Sequence, residues 1–112
     1  MSPRLLATVV ALLAIPTLAY ADALGAVGKV RVLEVNTTSA ETYLQYHGRI
    51  VVADLKAQTE YRWGGTSCGT RTLDAGDVAT LQSVLATGLR VQPRYQNGQG
   101  DVKCMVGFLV TE

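Results

Sequence analysis

The sequence holds 112 residues, 48% of them hydrophobic, with ten Lys and Arg against nine Asp and Glu. So short and so nearly neutral a chain, with no cluster of basic residues, argues against a nucleic acid as partner, because phosphate neutralisation needs concentrated positive charge. Length alone limits the fold to one small domain.

The first 21 residues read as a secretory signal peptide rather than as part of that domain. Arg4 follows the amino terminus, Leu5 to Ile15 is an apolar run, and Ala19-Tyr20-Ala21 fits a small-x-small cleavage site. The run is shorter than the ~20 residues a membrane span needs, and Pro16 interrupts it. The expected mature chain, residues 22–112, is soluble and secreted or periplasmic, with no further span. Without Arg4 it carries nine basic and nine acidic residues. A domain of about ninety residues buries only roughly 60–65% of its unfolded surface, so its core is marginal. Export to an oxidising compartment and two cysteines, Cys68 and Cys104, then predict one disulfide, which closes a loop worth about 4 kcal/mol in the chain-entropy account. A catalytic thiol or a metal site would have to draw on the single histidine, His47, so neither is expected, and no cofactor is.

In chain order, residues 22–28 read as a loose leader. Lys29 to Val35 is a strand rich in β-branched residues, ended by the turn formers Asn36-Thr37-Thr38-Ser39, which also match a glycosylation sequon. Alternation through Thr42 to His47, then Arg49 to Ala53, predicts one long second strand kinked at Gly48. Thr59 to Trp63 is a third strand that Gly64-Gly65 terminates, and Thr66 to Leu73 is a loop bearing Cys68. A helix starts at Asp74, whose carboxylate can cap the first turn, with Asp77 at the positive end of the dipole. Val78, Leu81, Val84 and Leu85 form its apolar stripe, and Gly88 ends it. Leu89 to Tyr95 alternates as a half-buried strand, Asn97-Gly98-Gln99-Gly100 turns the chain, and Val102 to Val110 is a last strand, apolar on both faces after Lys103. A strand covered on both sides is central or at an interface, and Met105, Gly107 and Leu109 make the face on which copies of the chain would associate.

Three strands, one helix and two strands is the order of the oligonucleotide- and oligosaccharide-binding (OB) barrel, in which a helix plugs five strands. The predicted fold is therefore mainly β with one helix, a five-stranded OB-like barrel of order β-β-β-α-β-β stapled by one disulfide. Between about Val30 and Val110 the chain resembles the cell-binding B subunits of AB5-type bacterial toxins, of the subtilase cytotoxin and typhoid toxin kind. The residues that carry the resemblance are Gly28-Lys29-Val30, Thr42-Tyr43-Leu44, Trp63-Gly64, Thr87-Gly88 with Val91 and Tyr95, and Val106-Gly107-Phe108-Leu109. It implies a ring of five protomers that binds sialylated glycans. The serine-bearing sugar-binding segment of those toxins has no counterpart here, so no glycan-binding residue is carried over.

The candidate ligand-binding residues are Trp63, with open glycines after it and Arg62 beside it, and Arg90 and Arg94, which share a strand face with Gln92 and can grip a carboxylate. Core packing competes with recognition for Trp63, as a solvated face does for the arginines. Three functions follow. The first is an exported binding protein, not an enzyme, that takes a glycan or protein partner and associates with itself like a toxin B subunit. The second is a monomeric inhibitor that blocks a hydrolase with Thr66 to Leu73 or Gln96 to Asp101. The third is a small hydrolase using His47 as base with Glu60 or Asp54.

Overall fold

The computed structural model describes residues 22–112, so the expected signal peptide lies outside the described residues. Six strands run in chain order: β1 (Ala23–Leu24), β2 (Gly28–Val35), β3 (Gly48–Ala53), β4 (Gln58–Trp63), β5 (Arg90–Asn97) and β6 (Lys103–Thr111). A single-turn helix α1 (Gly65–Cys68) and the main helix α2 (Ala75–Thr87) separate β4 from β5. Strands β2, β3, β4, β6 and β5 close into a five-stranded barrel in that order. All pairings are antiparallel except β4 with β6, where Arg62 meets Cys104 in parallel register. This is the OB-like, mainly β architecture that the element order predicts. No helix among the described residues is long and apolar enough to cross a membrane.

Local chemistry explains α2. The Asp74 carboxylate accepts from the Asp77 amide and the Asp77 carboxylate accepts from the Asp74 amide, a reciprocal capping box that satisfies two otherwise unpaired donors. Gly88 ends the helix at φ 73°, a left-handed position that suits glycine. Leu81 and Val84 are buried and join Val30, Ile50, Val52, Tyr61, Trp63, Val91 and Met105 in one core, with Val78 packed against it. The stripe is narrower than the spacing predicts, because Leu85 is 43% exposed.

The disulfide forms between Cys68 of α1 and Cys104 of β6, with Cα atoms 5.5 Å apart and both residues buried. It fixes α1 against the last strand. A closed loop with 36 residues of sequence separation is worth about 4 kcal/mol through lost unfolded-state entropy.

Four local expectations change, the first being that the expected Thr66 to Leu73 loop opens inside the single turn of α1, which carries Cys68. The leader is anchored: Ala23 and Leu24 pair with Tyr95 and Arg94, and the Gly25 amide donates to the Pro93 carbonyl at 2.8 Å. Strand β2 covers only Val91 and Arg90 of β5, and β1 occupies the edge beyond them. The long second strand does not form either. The β2–β3 ladder ends at Val35 opposite Gly48, so Thr42 to His47 has no strand to join; Glu41–Leu44 is a 3₁₀ helix, and the Tyr46 amide donates to the Thr42 carbonyl. Last, β6 carries a bulge. Tyr95 faces Met105 but Arg94 faces Gly107, so Val106 is the extra residue and side-chain parity reverses. Met105 turns into the core with no exposed surface, while Leu109 is 54% exposed. Met105 therefore does not share an outer face with Gly107 and Leu109, because the bulge lies between them.

Candidate functional site

Trp63 ends β4 and is only 2% exposed. Its ring lies against Gly48, where a methyl group would come within 2.3 Å of Cζ2. Packing, not a free stacking surface, accounts for the tryptophan.

Arg62 points to the outside of the same strand, into a ladder of charges across β2, β3 and β4. Its Nε donates to Glu60 at 2.8 Å and its guanidinium carbon stands 4.4 Å from the centre of the Tyr46 ring. Arg49 bridges Glu34 at 2.7 Å and Glu60 at 3.1 Å, and the Tyr46 hydroxyl donates to Glu34 at 3.0 Å. The Arg49 hydrogen bond holds the Glu34 carboxyl below its ordinary pKa, while burial and then Glu34 push the Tyr46 phenol up. Two guanidiniums share two carboxylates, so this face satisfies itself and Arg62 is engaged within the fold.

Arg90 and Arg94 both project outward from β5 but belong to different surroundings. Arg94 is exposed beside Leu24 of β1 and Gly107 of β6. The Arg90 guanidinium donates to a main-chain oxygen of Glu112, the last residue of the sequence, with Nε at 2.9 Å, and also lines an open cleft of about 680 Å³ at one end of the barrel. Lys29 and Arg31 of β2 and Asp54, Leu55 and Lys56 of the β3–β4 turn complete that cleft. Every ion pair among the described residues involves Arg49 or Arg62, so Lys29, Arg31, Lys56 and Arg90 meet no carboxylate side chain. The one acidic residue in the lining is already engaged: Asp54 accepts from the Lys56 amide at 2.7 Å and the Ala57 amide at 2.8 Å, and these bonds lower its pKa. The turn they fix leaves Leu55 fully exposed at its tip. Sequence reasoning found Arg90 and missed its three companions. Arg31 sits at a register shift in β2 between Val30 and Val32, which no local pattern announces.

A second cleft, of about 320 Å³, lies at the other end of β2 between the 36–47 loop and α2. Tyr43 and His47 stack there with ring centres 4.1 Å apart. His47 Nδ1 and the Thr72 hydroxyl share a hydrogen bond of 3.3 Å. The acid–base partners considered for His47 are elsewhere: Glu60 is in the outer charge ladder, and Asp54 follows the far end of β3. The two loops considered for inhibition form one surface. The Arg71 guanidinium donates to the Asn97 carbonyl at 2.9 Å, and Gly98 abuts the Ser67 carbonyl and Cys104 sulfur so closely that no side chain fits.

No protein-family model, curated protein or solved structure matches the chain. Function therefore rests on the geometry of these surfaces.

Proposed function

We propose that the protein is an exported, disulfide-stapled binding module, not an enzyme, and that it holds an anionic ligand in the cleft of Lys29, Arg31, Lys56 and Arg90. One observation carries the reading: four cationic side chains line a cleft whose only acidic side chain is held by its own turn, Arg90 also donating to a main-chain oxygen of Glu112. Charge-assisted hydrogen bonds from arginine and lysine suit a carboxylate, and Leu55 offers an apolar contact beside them. The resemblance to toxin B subunits makes an acidic, sialylated glycan the first ligand to test, and a ring assembly through the Leu109 face the means of making weak sites effective. The buried disulfide supports a mature form in the periplasm or outside the cell.

The test combines native mass, with and without reductant, and binding to sialylated against neutral glycans at low and high salt. The expected result is an oligomer of about five chains whose preference for acidic glycans weakens with salt and is lost in Lys56→Glu with Arg31→Glu. A monomer without affinity for acidic glycans overturns this reading.

That outcome would favour the second reading, a monomeric inhibitor of a hydrolase. Its support is the fusion of Thr66–Leu73 with Gln96–Asp101 into one stapled projection, in which Asp101 holds a positive φ of 63°. Such preformed loops bind without a large ordering penalty. Capture of one hydrolase, blocked by substitutions at Gln99 and Asp101 but not at Lys56, is its signature.

A further inference from the structure

We infer that the cleft between the 36–47 loop and α2 is a second, separate binding site, for one neutral pyranose ring. This goes beyond the anionic ligand, because the two clefts share no residue and stand roughly 20 Å apart along β2.

One wall carries a stacked aromatic pair: the Tyr43 and His47 rings lie 4.1 Å apart and within 12° of parallel, so each covers one face of the other and Tyr43 keeps its outer face. The pair is held in place before any ligand arrives. The His47 amide donates to the Trp63 carbonyl at 2.8 Å, its ring rests on Gly64, where a methyl would come within 2.2 Å of Nδ1, and Nδ1 bonds Thr72. Across the cleft, α2 presents Val78 and the exposed amide of Gln82, which has no hydrogen-bond partner among the described residues. The Asn36 amide stands at the rim, fixed by its donation to the Tyr46 carbonyl at 3.2 Å.

One aromatic face beside amide groups is the chemistry that receives a sugar, whose C–H face packs on the Tyr43 ring while its hydroxyls exchange hydrogen bonds with the amides. Charge selects against an acidic ligand here. The lining includes no Lys or Arg, and its Asp74 carboxylate, with Asp77 behind it, closes the capping box on the helix amides that would otherwise attract an anion. The volume, about 320 Å³, lies at the small end of the range for ligand cavities, roughly 300–1,000 Å³, and so suits one ring rather than a chain.

The experiment is a ¹H–¹⁵N chemical-shift titration of the exported protein with methyl β-galactoside, methyl β-glucoside and N-acetylglucosamine, each taken to tens of millimolar. At least one sugar is expected to move the amides of Tyr43, His47, Val78 and Gln82 along saturable curves, unchanged by Lys56→Glu at the other cleft. Gln82→Ala, a change at an exposed side chain without contacts to lose, should weaken that sugar about tenfold. Tyr43→Ala should abolish its binding while Tyr43→Phe retains it. Absence of shifts with all three sugars, shifts scattered over the surface, or an unaltered curve in Gln82→Ala would overturn the assignment. Because the acidic-glycan test reads a different cleft, either proposal can fail alone.

Discussion

Gly48→Ala is the sharpest test of how the barrel is packed. Gly48 opens β3 between Val35 of β2 and Trp63 of β4. An added methyl carbon would lie 2.3 Å from Trp63 Cζ2, 2.6 Å from Cε2 and 2.7 Å from the Glu34 carbonyl oxygen. Carbon atoms in contact normally sit about 3.5–4.0 Å apart, so the overlap exceeds an ångström on the aromatic side. Neither neighbour gives way easily: Trp63 is 2% exposed among buried residues, and the carbonyl belongs to the β2 backbone. Overpacking at such sites costs about 1–3 kcal/mol, and the rigidity of both neighbours places this substitution at the upper end. For a domain of this size each kcal/mol lowers Tm by roughly 4–8 °C, so a fall of about 10–20 °C is expected. Urea unfolding followed by far-UV circular dichroism reads the change. Pairing Gly48→Ala with Trp63→Phe makes room for the methyl, so the double variant should lose less than the two single losses added. A Gly48→Ala loss below about 0.5 kcal/mol, or strict additivity with Trp63→Phe, would refute this account of the packing.

Two further outcomes can be stated. Replacing Cys68 and Cys104 together by Ala should cost about 4 kcal/mol in urea unfolding at pH 7, and reduction of the native protein should be slow, since both sulfur-bearing residues are buried; rapid reduction without unfolding would contradict that burial. Glu34 is held below its ordinary value of 4.5 chiefly by the Arg49 hydrogen bond, so its contribution to stability is present above that value and is lost as pH falls through the lower folded one. Stability should accordingly fall more steeply on acidification in the native chain than in Glu34→Gln, and equal slopes would remove Glu34 from the linkage.

The legible parts of the fold were those written locally. Asp74, Asp77 and Gly88 mark both ends of α2 within the helix itself, and two cysteines leave one pairing to make. The barrel followed from the order of elements. What stayed hidden depends on closure: β1 is a strand because β5 has an open edge, and Thr42 to His47 is not one because β2 and β3 stop pairing at Val35 and Gly48. The bulge at Val106 is the clearest case, since one unpaired residue moved Met105 from an expected interface to the core.

The site was harder to read for a related reason. A near-neutral sequence suggests a surface without electrostatic preference, but six of its nine acidic residues are engaged where they stand. Glu34 and Glu60 hold Arg49 and Arg62, Asp54 holds a turn, Asp74 and Asp77 cap a helix, and Asp22 accepts from Gln96. With those carboxylates engaged, Lys29, Arg31, Lys56 and Arg90 are brought to one end of the barrel by β2, β5 and the β3–β4 turn and remain without acidic side-chain partners. A local excess of positive charge thus arises in a chain with almost none overall, because folding decides which charges cancel. The proposed anionic ligand rests on this excess, which is visible only after the barrel closes.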